Sequence, residues 1–191
     1  LEQGKVDYII GFEPGSLKFT TTPLITKDKG DVARLVITPF IVNNLANFLT
    51  KLKGRVGIAV KGCDSRSIVS LIQDRQISRE NVVIFGIPCP GLIDLRKAEH
   101  LMDRDRDELD EIVREEAKIV ITADGERKEY PIAEVLFDNC LACELPTPQE
   151  YDILLGEPTL PVAETAASQA NIYQLKEKTT PERWEFWEKQ F

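Results

Sequence analysis

The sequence predicts an α/β fold in which a mixed, largely parallel sheet is flanked by helices, with a small β-hairpin and a C-terminal helical tail. The main observation is a strand–helix–strand unit, in which a helical segment at 65–74 lies between the apolar runs 55–60 and 81–85. Such a unit joins parallel strands by a right-handed crossover. The second observation is the segment 123–126, A-D-G-E, which lies between two short strand-like runs and predicts a hairpin turn.

The first 54 residues predict two strands and one helix. Val6–Phe12 is a short apolar run that indicates a buried strand, and Lys18–Ile25 is rich in threonine and apolar residues, as strands often are. Pro39 begins an apolar segment that we predict to be helical as far as Leu52, with Gly54 just after its end.

The parallel unit follows. Arg55–Val60 is predicted as a strand, and the helix from about Ser65 to Asp74 has Asp64 or Ser65 as its cap. Asn81–Phe85, N-V-V-I-F, is the third core strand.

The rest of the chain is predicted to begin with a charged helical region at 92–117, followed by a hairpin of the strands 118–122 and 127–130. A short helix at 131–137, a strand at 151–155 and a terminal helix at 181–191 complete the prediction. The charged region is expected to form two helices, or a helix and a loop. We predict one domain over residues 1–158, and a linker with a C-terminal helix over 159–191. Trp184 and Trp187 suit docking onto another domain or subunit, and packing against the parent domain is the alternative.

Charge and composition exclude several classes of protein. The 191 residues carry a formal net charge of −8, which argues against nucleic acid and anionic membranes as partners. No apolar run reaches membrane-spanning length, and no signal peptide is visible, so we expect a cytoplasmic protein. The chain begins at Leu1 without a methionine, and we expect it to be part of a longer polypeptide.

The chain contains a single histidine. His100 lies in a charged stretch, and we expect it to be exposed on a helix. A histidine-based catalytic triad and a histidine-ligated catalytic zinc are therefore improbable.

Four cysteines carry the main chemical prediction. Cys63 lies in K-G-C-D-S-R-S, Cys89 in F-G-I-P-C-P-G, and Cys140 and Cys143 form C-L-A-C, all at predicted turns. The two-residue spacing of the last pair lets one tight turn direct both sulfurs at one ion or cluster. Four thiolates meet the requirement of an iron–sulfur cluster or of a tetrahedral zinc site. We interpret the chain first as an iron–sulfur protein.

Other interpretations of the cysteines stay open at this point. Cys63 and Cys89 could be small buried hydrophobic residues. The C-L-A-C motif could be a thioredoxin-like redox pair, although such pairs normally open a helix after a strand near the chain start. All four cysteines could instead ligate a structural zinc ion, in a domain that organises an assembly.

Polar residues near these turns are candidates for binding a cofactor. K-G-C-D-S-R begins where a core strand ends and a helix begins, and ligands bind at the carboxyl ends of strands in open parallel sheets. The start of the helix offers free N–H groups to a negatively charged cluster or to a flavin phosphate. Two asparagines in the predicted helix at 39–52 add polar groups that could contact a flavin ring or ribose. The predicted cofactor-binding residues are Asn43, Asn44, Lys61, Asp64, Ser65 and Arg66.

These motifs resemble the beta-subunit family of coenzyme F-420-reducing hydrogenases and dehydrogenases, which includes formate dehydrogenase beta subunits. The resemblance covers roughly residues 1–158 and depends on L-E-Q-G-K-V-D-Y-I-I-G-F, P-F-I-V-N-N-L, V-K-G-C-D-S-R-S-I, I-F-G-I-P-C-P-G and C-L-A-C-E-L-P-T-P-Q-E-Y-D-I-L-L-G. The K-G-C-D-S-R form replaces the usual family turn resembling G-T-P-C-Q.

The resemblance implies a 4Fe–4S cluster held by Cys63, Cys89, Cys140 and Cys143, and FAD as a second cofactor. The expected function is that of an electron-transfer subunit or domain in a multi-subunit oxidoreductase of the hydrogenase, formate dehydrogenase or heterodisulfide reductase type. Its expected partners are other redox subunits, either ferredoxin-like or catalytic. The alternative is an FAD-dependent oxidoreductase of a deazaflavin or nicotinamide coenzyme, and the second alternative is the structural zinc domain with four cysteine ligands.

Overall fold

The computed structural model describes residues 1, 4–115, 118–161 and 170–189, with helix side chains described from residue 174 onward in the last range. Its strands, in chain order, are Tyr8–Pro14 (β1), Thr21–Thr26 (β2), Val56–Lys61 (β3), Val82–Ile87 (β4), Leu109–Glu115 (β5), Lys118–Ala123 (β6), Glu126–Pro131 (β7) and Ile153–Leu154 (β8). Its α-helices are Gly62–Gln73 (α1), Leu95–Met102 (α2), Ile132–Val135 (α3), Asp138–Leu141 (α4), Ala170–Glu177 (α5) and Thr180–Glu188 (α6). Short 3₁₀ helices lie at Gly30–Arg34, Leu45–Lys51, Arg79–Asn81 and Arg106–Glu108.

The larger sheet has the strand order β2-β1-β3-β4-β8. β1 pairs with β2 in antiparallel orientation, and every other neighbouring pair is parallel. The predicted mixed, largely parallel sheet is therefore confirmed. β3 and β4 run in register from Val56 opposite Val82 to Lys61 opposite Ile87, so both strands end at the same edge of the sheet. The chain that follows each strand carries one of the cysteines.

The smaller sheet is antiparallel, with the order β5-β6-β7. It contains the predicted hairpin, whose turn at Asp124 and Gly125 uses two residues with positive φ. The turn is followed by β7, and α3 and α4 come directly after it. Because α4 contains Cys140, the small sheet helps to place the last two cysteines.

Two hydrophobic cores support these sheets. The first contains apolar residues of β1, β3, β4 and α1, including Ile10, Ile58, Ile68 and Ile84, all at most 1% exposed. The second joins the small sheet to α2 and α3. Cys140 packs against both cores, so the cysteine-bearing segment lies where they meet.

The predicted helix over Pro39–Leu52 is wrong. Residues 39–44 are irregular, and only Leu45–Lys51 is helical, as a 3₁₀ helix. The Asn44 side chain accepts a hydrogen bond from the Ala46 N–H, which starts this short helix. Asparagine competes in this way with the continuous backbone ladder of an α-helix.

Two further predictions for local structure need correction. The charged region 92–117 contains one α-helix, α2, and its second half forms strand β5 instead of a helix or loop. The reason is β6, an almost fully buried apolar strand that pairs on both sides, with β5 and β7. Neither Asp64 nor Ser65 caps α1, whose N-cap is Lys61 without a side-chain cap.

The remaining features concern the surface. His100 is exposed on α2, as predicted. Trp184 and Trp187 on α6 are 66% and 48% exposed. Within the described parts of the chain, no helix is long and apolar enough to cross a membrane.

Candidate metal centre

All four cysteines line a single pocket. They reach it from three parts of the chain, since Cys63 is the second residue of α1, Cys89 lies in the loop after β4, and Cys140 and Cys143 lie in and just after α4. The structure thus brings together the complete predicted ligand set. All four cysteines are free of disulfide bonds.

Close backbone packing places the three segments together. A Cβ atom on Gly62 would lie 1.8 Å from the Leu145 carbonyl oxygen, so only glycine allows the segment after Cys143 to pass over the start of α1. The Cys89 N–H donates a hydrogen bond to the Pro146 carbonyl at 2.7 Å. These contacts connect the two cysteine-bearing loops that follow β4 and α4 to the end of β3.

Backbone N–H groups are directed at two of the sulfurs. The Leu92 N–H donates to Cys140 Sγ at 3.4 Å, and the Gly91 N–H donates to the sulfur of Cys89. Such donors stabilise negative charge on sulfur, and hydrogen bonds of this kind tune the potentials of iron–sulfur clusters. Gly91 adopts φ of 106°, a conformation that favours glycine and lets the loop turn back toward the thiols.

The local electrostatics disfavour free thiolates. Burial raises the pKa of Cys89 and Cys140, against the opposing effect of the two backbone N–H groups. Cys63 is exposed at the surface, and partial desolvation, followed by the negative charge of Asp64, raises the pKa of its thiol. A metal ion bound by Cys63, Cys89 or Cys140 would therefore displace a proton from the thiol.

A buried lysine lies near the thiols. Lys61 is 1% exposed, and its Nζ lies 2.5 Å from Asp64 Oδ2 and donates to the Asn43 carbonyl at 3.2 Å. The ammonium also lies 5.1 Å from the centre of the Phe12 ring. Its positive charge favours the thiolate forms of Cys63, Cys89 and Cys140.

The other predicted cofactor residues surround the first turns of α1. Asn44 Nδ2 donates to Ser67 Oγ at 2.8 Å, and Ser65 Oγ donates to the Gly62 carbonyl at 2.7 Å. Arg66 is exposed on the helix. The structure thus places Asn43 and Asn44 close to α1, which contains the predicted residues Asp64, Ser65 and Arg66. Several polar groups of these residues already have hydrogen-bond partners within the protein.

The four thiols are not arranged around a single metal ion. Within the described residues, no group of three or more His, Cys, Asp or Glu residues converges closely enough to hold a single metal ion. A four-iron cluster offers one iron to each thiolate, so its ligands stand farther apart than those of one zinc ion. The cavity between the thiols is about 50 Å³, so a cluster requires the three loops to stand somewhat farther apart.

A second cleft adjoins the thiol pocket and shares Cys89 with it. Its volume is about 380 Å³, and its walls are mostly apolar side chains from residues 37–39, 41, 87–92 and 112–114. Arg114 is the cationic residue in this wall, and its Nη1 donates to the Pro90 carbonyl. Burial lowers the pKa of Arg114, and the nearby Cys89 opposes that change.

Sequence reasoning missed several of these groups. Arg114 lies in a segment predicted to be helical or a loop, so no feature of the sequence indicated that it is close to the cysteines. The N–H groups of Gly91 and Leu92 belong to the backbone and have no residue-type signal. None of the six residues predicted to bind a cofactor lines the 380 Å³ cleft.

Comparison with known proteins supports the predicted resemblance. The beta subunit of F420-dependent formate dehydrogenase 1 from Methanococcus maripaludis is 24% identical to this chain over 171 residues. The match covers 82% of this chain and 44% of that protein, so the chain spans less than half the length of this curated relative. No protein-family model matches the chain.

The predicted resemblance to beta subunits of this family is confirmed.

A solved structure supports the fold. A chain in the F420-reducing NiFe hydrogenase complex from Methanosarcina barkeri superimposes with a TM-score of 0.58 at 15% identity. The superposition covers 74% of this chain and 55% of that chain. At this identity the likeness concerns the α/β architecture alone.

Proposed function

We propose that the chain is an electron-transfer subunit or domain of a multi-subunit oxidoreductase, with one 4Fe–4S cluster held by Cys63, Cys89, Cys140 and Cys143. The observation that supports this proposal most strongly is the pocket lined by all four thiols, with backbone N–H donors at two of the sulfurs. A bound cluster supplies one-electron transfer. The protein's own residues hold the cluster, shield it and set the charge around it.

Each group near the pocket has a distinct role in this proposal. The Gly91 and Leu92 amides stabilise negative charge on two thiolates. Lys61 places a buried positive charge near the thiols, which favours the reduced, more negative state of a bound cluster. Arg66, on the exposed side of α1, stays a predicted ligand for an anionic cofactor or partner.

Metal and sulfide analysis tests the cluster. Anaerobic reconstitution of the chain should give about four irons and four sulfides per chain, with broad visible absorption. Cys140→Ser should lower both contents and bleach that absorption, because it removes a ligand from the pocket. Ser70→Ala is a suitable control, since this exposed serine lies on the same helix as Cys63. Stoichiometric zinc without sulfide in anaerobically prepared protein would instead support the structural zinc domain.

The cleft beside Cys89 favours a second function, an FAD-dependent oxidoreductase. Its apolar walls and volume of about 380 Å³ are suited to a planar ring, and Arg114 offers a positive charge to the edge of a reduced flavin. The name of the relative specifies F420, so we propose a deazaflavin, in preference to a nicotinamide, as the hydride partner of that flavin.

Two matched variants distinguish the possible flavin positions. FAD is titrated into the cluster-loaded chain, and its affinity is compared with that of Arg66→Ala and Arg114→Gln. A flavin at the start of α1 loses affinity in Arg66→Ala, whereas a flavin ring in the cleft loses affinity in Arg114→Gln. The expected loss is about 1.5–3 kcal/mol, the scale of a hydrogen bond to a charged group. Absence of FAD binding to the parent chain would rule out the flavin function and leave the cluster proposal standing.

We propose further that residues 1–158 form the cofactor-bearing domain and that residues 159–191 connect it to redox partners. The exposed Trp184 and Trp187 provide apolar surface on α6 for a ferredoxin-like or catalytic subunit. Replacing both with serine should abolish co-purification with such a subunit without changing the iron content. Unchanged co-purification would contradict this role for the helix.

A further inference from the structure

A third cavity is lined by none of the cysteines and shares no residue with the thiol pocket or the predicted flavin residues. Its volume is about 470 Å³, and we call it the Phe–Arg pocket after its main lining residues: Phe19, Phe40, Phe137, Asp94, Arg96 and Arg106. The segment 38–42 separates the Phe–Arg pocket from the cleft beside Cys89. Thr38, Pro39 and Ile41 line the cleft, whereas Phe40 and Val42 line the Phe–Arg pocket.

The aromatic wall of the pocket is held in an unusual conformation. Phe19 adopts φ of 57°, a strained conformation that bulky residues rarely adopt. Its ring lies 5.4 Å from that of Phe40, tilted by 51°. Strained backbone of this kind clusters at ligand-binding sites, and the tilted pair presents aromatic surface to a planar group.

Hydrogen bonds fix this wall relative to the cationic wall. Lys18, next to Phe19, donates from Nζ to the carbonyls of Asp107 at 2.8 Å and Leu109 at 3.0 Å. These acceptors closely follow Arg106, so one lysine sets the spacing between the ring of Phe19 and the guanidinium. Both walls are therefore ordered before a ligand binds, which lowers the entropy cost of binding.

The cationic wall has unused donor capacity. Arg106 Nε is buried without a hydrogen bond to any described residue, although it lies 3.4 Å from Glu99 Oε1 as an ion pair. Buried polar groups in native proteins nearly always have a partner, so such a group calls for an explanation. Arg96 adds a second, exposed guanidinium, and Asp94 adds a carboxylate that already accepts from the Arg96 N–H.

We propose that the Phe–Arg pocket binds a nucleotide, a planar base that carries a sugar and phosphate groups. The base stacks against Phe19 and Phe40, and the phosphates pair with the guanidiniums of Arg96 and Arg106, whose planar donor sets match phosphate oxygens. Asp94 provides an acceptor for sugar hydroxyls. The proposal is independent of the cluster, because it uses none of the cysteines.

The pocket is connected to the thiol site by the backbone. Phe137 lines the Phe–Arg pocket, and its carbonyl accepts hydrogen bonds from the N–H groups of Cys140 at 2.9 Å and Leu141 at 3.2 Å. A nucleotide against Phe137 would therefore contact the residue that begins the cysteine-bearing turn.

Calorimetric titration of the 191-residue chain with ADP, adenosine and pyrophosphate tests the proposal. ADP should bind at least tenfold more tightly than either fragment, because only ADP uses both walls. Arg106→Gln and Phe19→Leu should each weaken ADP at least tenfold. Arg104→Gln is the matched control, since this exposed arginine lies two residues away and outside the pocket, and it should leave the affinity unchanged.

The alternative outcomes are equally specific. Absence of ADP binding to the parent chain overturns the proposal, and so does an affinity that neither variant changes. Pyrophosphate binding as tightly as ADP would show an anion site without a base and would overturn the nucleotide assignment. If Arg106→Gln fails to fold by circular dichroism, Arg106→Lys keeps the charge and removes the paired donors, and it should still lose at least tenfold in affinity.

Discussion

Replacing Gly62 with alanine isolates the contact that brings the cysteine loops together. The added Cβ would lie 1.8 Å from the Leu145 carbonyl oxygen, and real Cβ atoms essentially never approach other atoms within 3.0 Å. The neighbouring atom is backbone, so rotation of a side chain cannot relieve the overlap. Leu145 and Pro146 must therefore retreat from α1 by at least about 1.2 Å.

The energetic cost follows from that displacement. Overpacking a close contact costs about 1–3 kcal/mol. The same movement stretches the 2.7 Å hydrogen bond from the Cys89 N–H to the Pro146 carbonyl, and an unsatisfied buried group costs about 1–3 kcal/mol. Alanine is a better helix former than glycine by about 1 kcal/mol, which offsets part of this loss. We expect a net destabilisation of about 3 kcal/mol, or roughly 6–12 °C in melting temperature for a chain of this size.

The effect on the metal centre should exceed the effect on the fold. The parent chain can adjust its three loops around a cluster, whereas the added Cβ blocks the approach of the segment after Cys143 to α1. Because metal ligands must lie within about 0.2 Å of their required positions, Gly62→Ala should bind less cluster. Iron and sulfide contents after anaerobic reconstitution measure this loss, and thermal unfolding measures stability. Gly30→Ala is the matched control, because its Cβ meets only the flexible side chain of Asp28, at 3.3 Å. Full cluster content and an unchanged melting temperature in Gly62→Ala would refute the reasoning.

Three further variants follow from charges around the site and at the sheet edge. Arg114→Gln removes a positive charge beside the thiol pocket, so the cluster's midpoint potential should fall in an anaerobic redox titration; an unchanged potential would exclude this electrostatic role. Lys61→Met leaves Asp64 without its buried partner, and urea unfolding should show a loss of about 3 kcal/mol, whereas a loss below about 1 kcal/mol would contradict the pairing. Desolvation raises the pKa of Asp152, but hydrogen bonds from Arg79 and a backbone N–H outweigh it and hold that pKa below its usual value. Its stabilisation is therefore present above the unfolded-state pKa of about 3.9 and is lost as pH falls through the folded-state value. Asp152→Asn should be less stable than the parent at pH 7, and the difference should shrink at about pH 2; a pH-independent difference would contradict the linkage.

The parallel sheet could be predicted from the sequence because its strands are short apolar runs, a pattern that few structures other than buried strands satisfy. Val56–Lys61 and Val82–Ile87 are such runs, and both are followed by a cysteine within a few residues. Since parallel strands end at one edge, the approach of Cys63 to Cys89 could be expected. The position of Cys140 and Cys143 depends on tertiary packing, and only the resemblance to known proteins indicated it.

Strand β5 was missed because its exposed side is charged. Leu109–Glu115, L-D-E-I-V-R-E, has buried residues at Leu109 and Ile112, a spacing of three that a helix would also show. Its strand conformation comes from antiparallel pairing with β6, the next strand in the chain, which the spacing of its own buried residues does not reveal. Arg114 lies on this same strand. Because the segment was predicted to be a helix or a loop, the position of Arg114 beside the Cys89 loop could not be predicted either.

The order in which the site can be completed follows from the position of Cys140 between the two cores. During synthesis, Cys63 and Cys89 leave the ribosome first, and the whole small sheet with α2 and α3 must follow before Cys140 emerges. Bringing distant segments together is slow, because the entropy of closing the loop is lost before the contacts form. A growing chain thus exposes two unpaired thiols until the second core has folded. For the proposed cluster, the ligand set is complete only after Cys143 has been synthesised, so cluster insertion is expected to be a post-translational step.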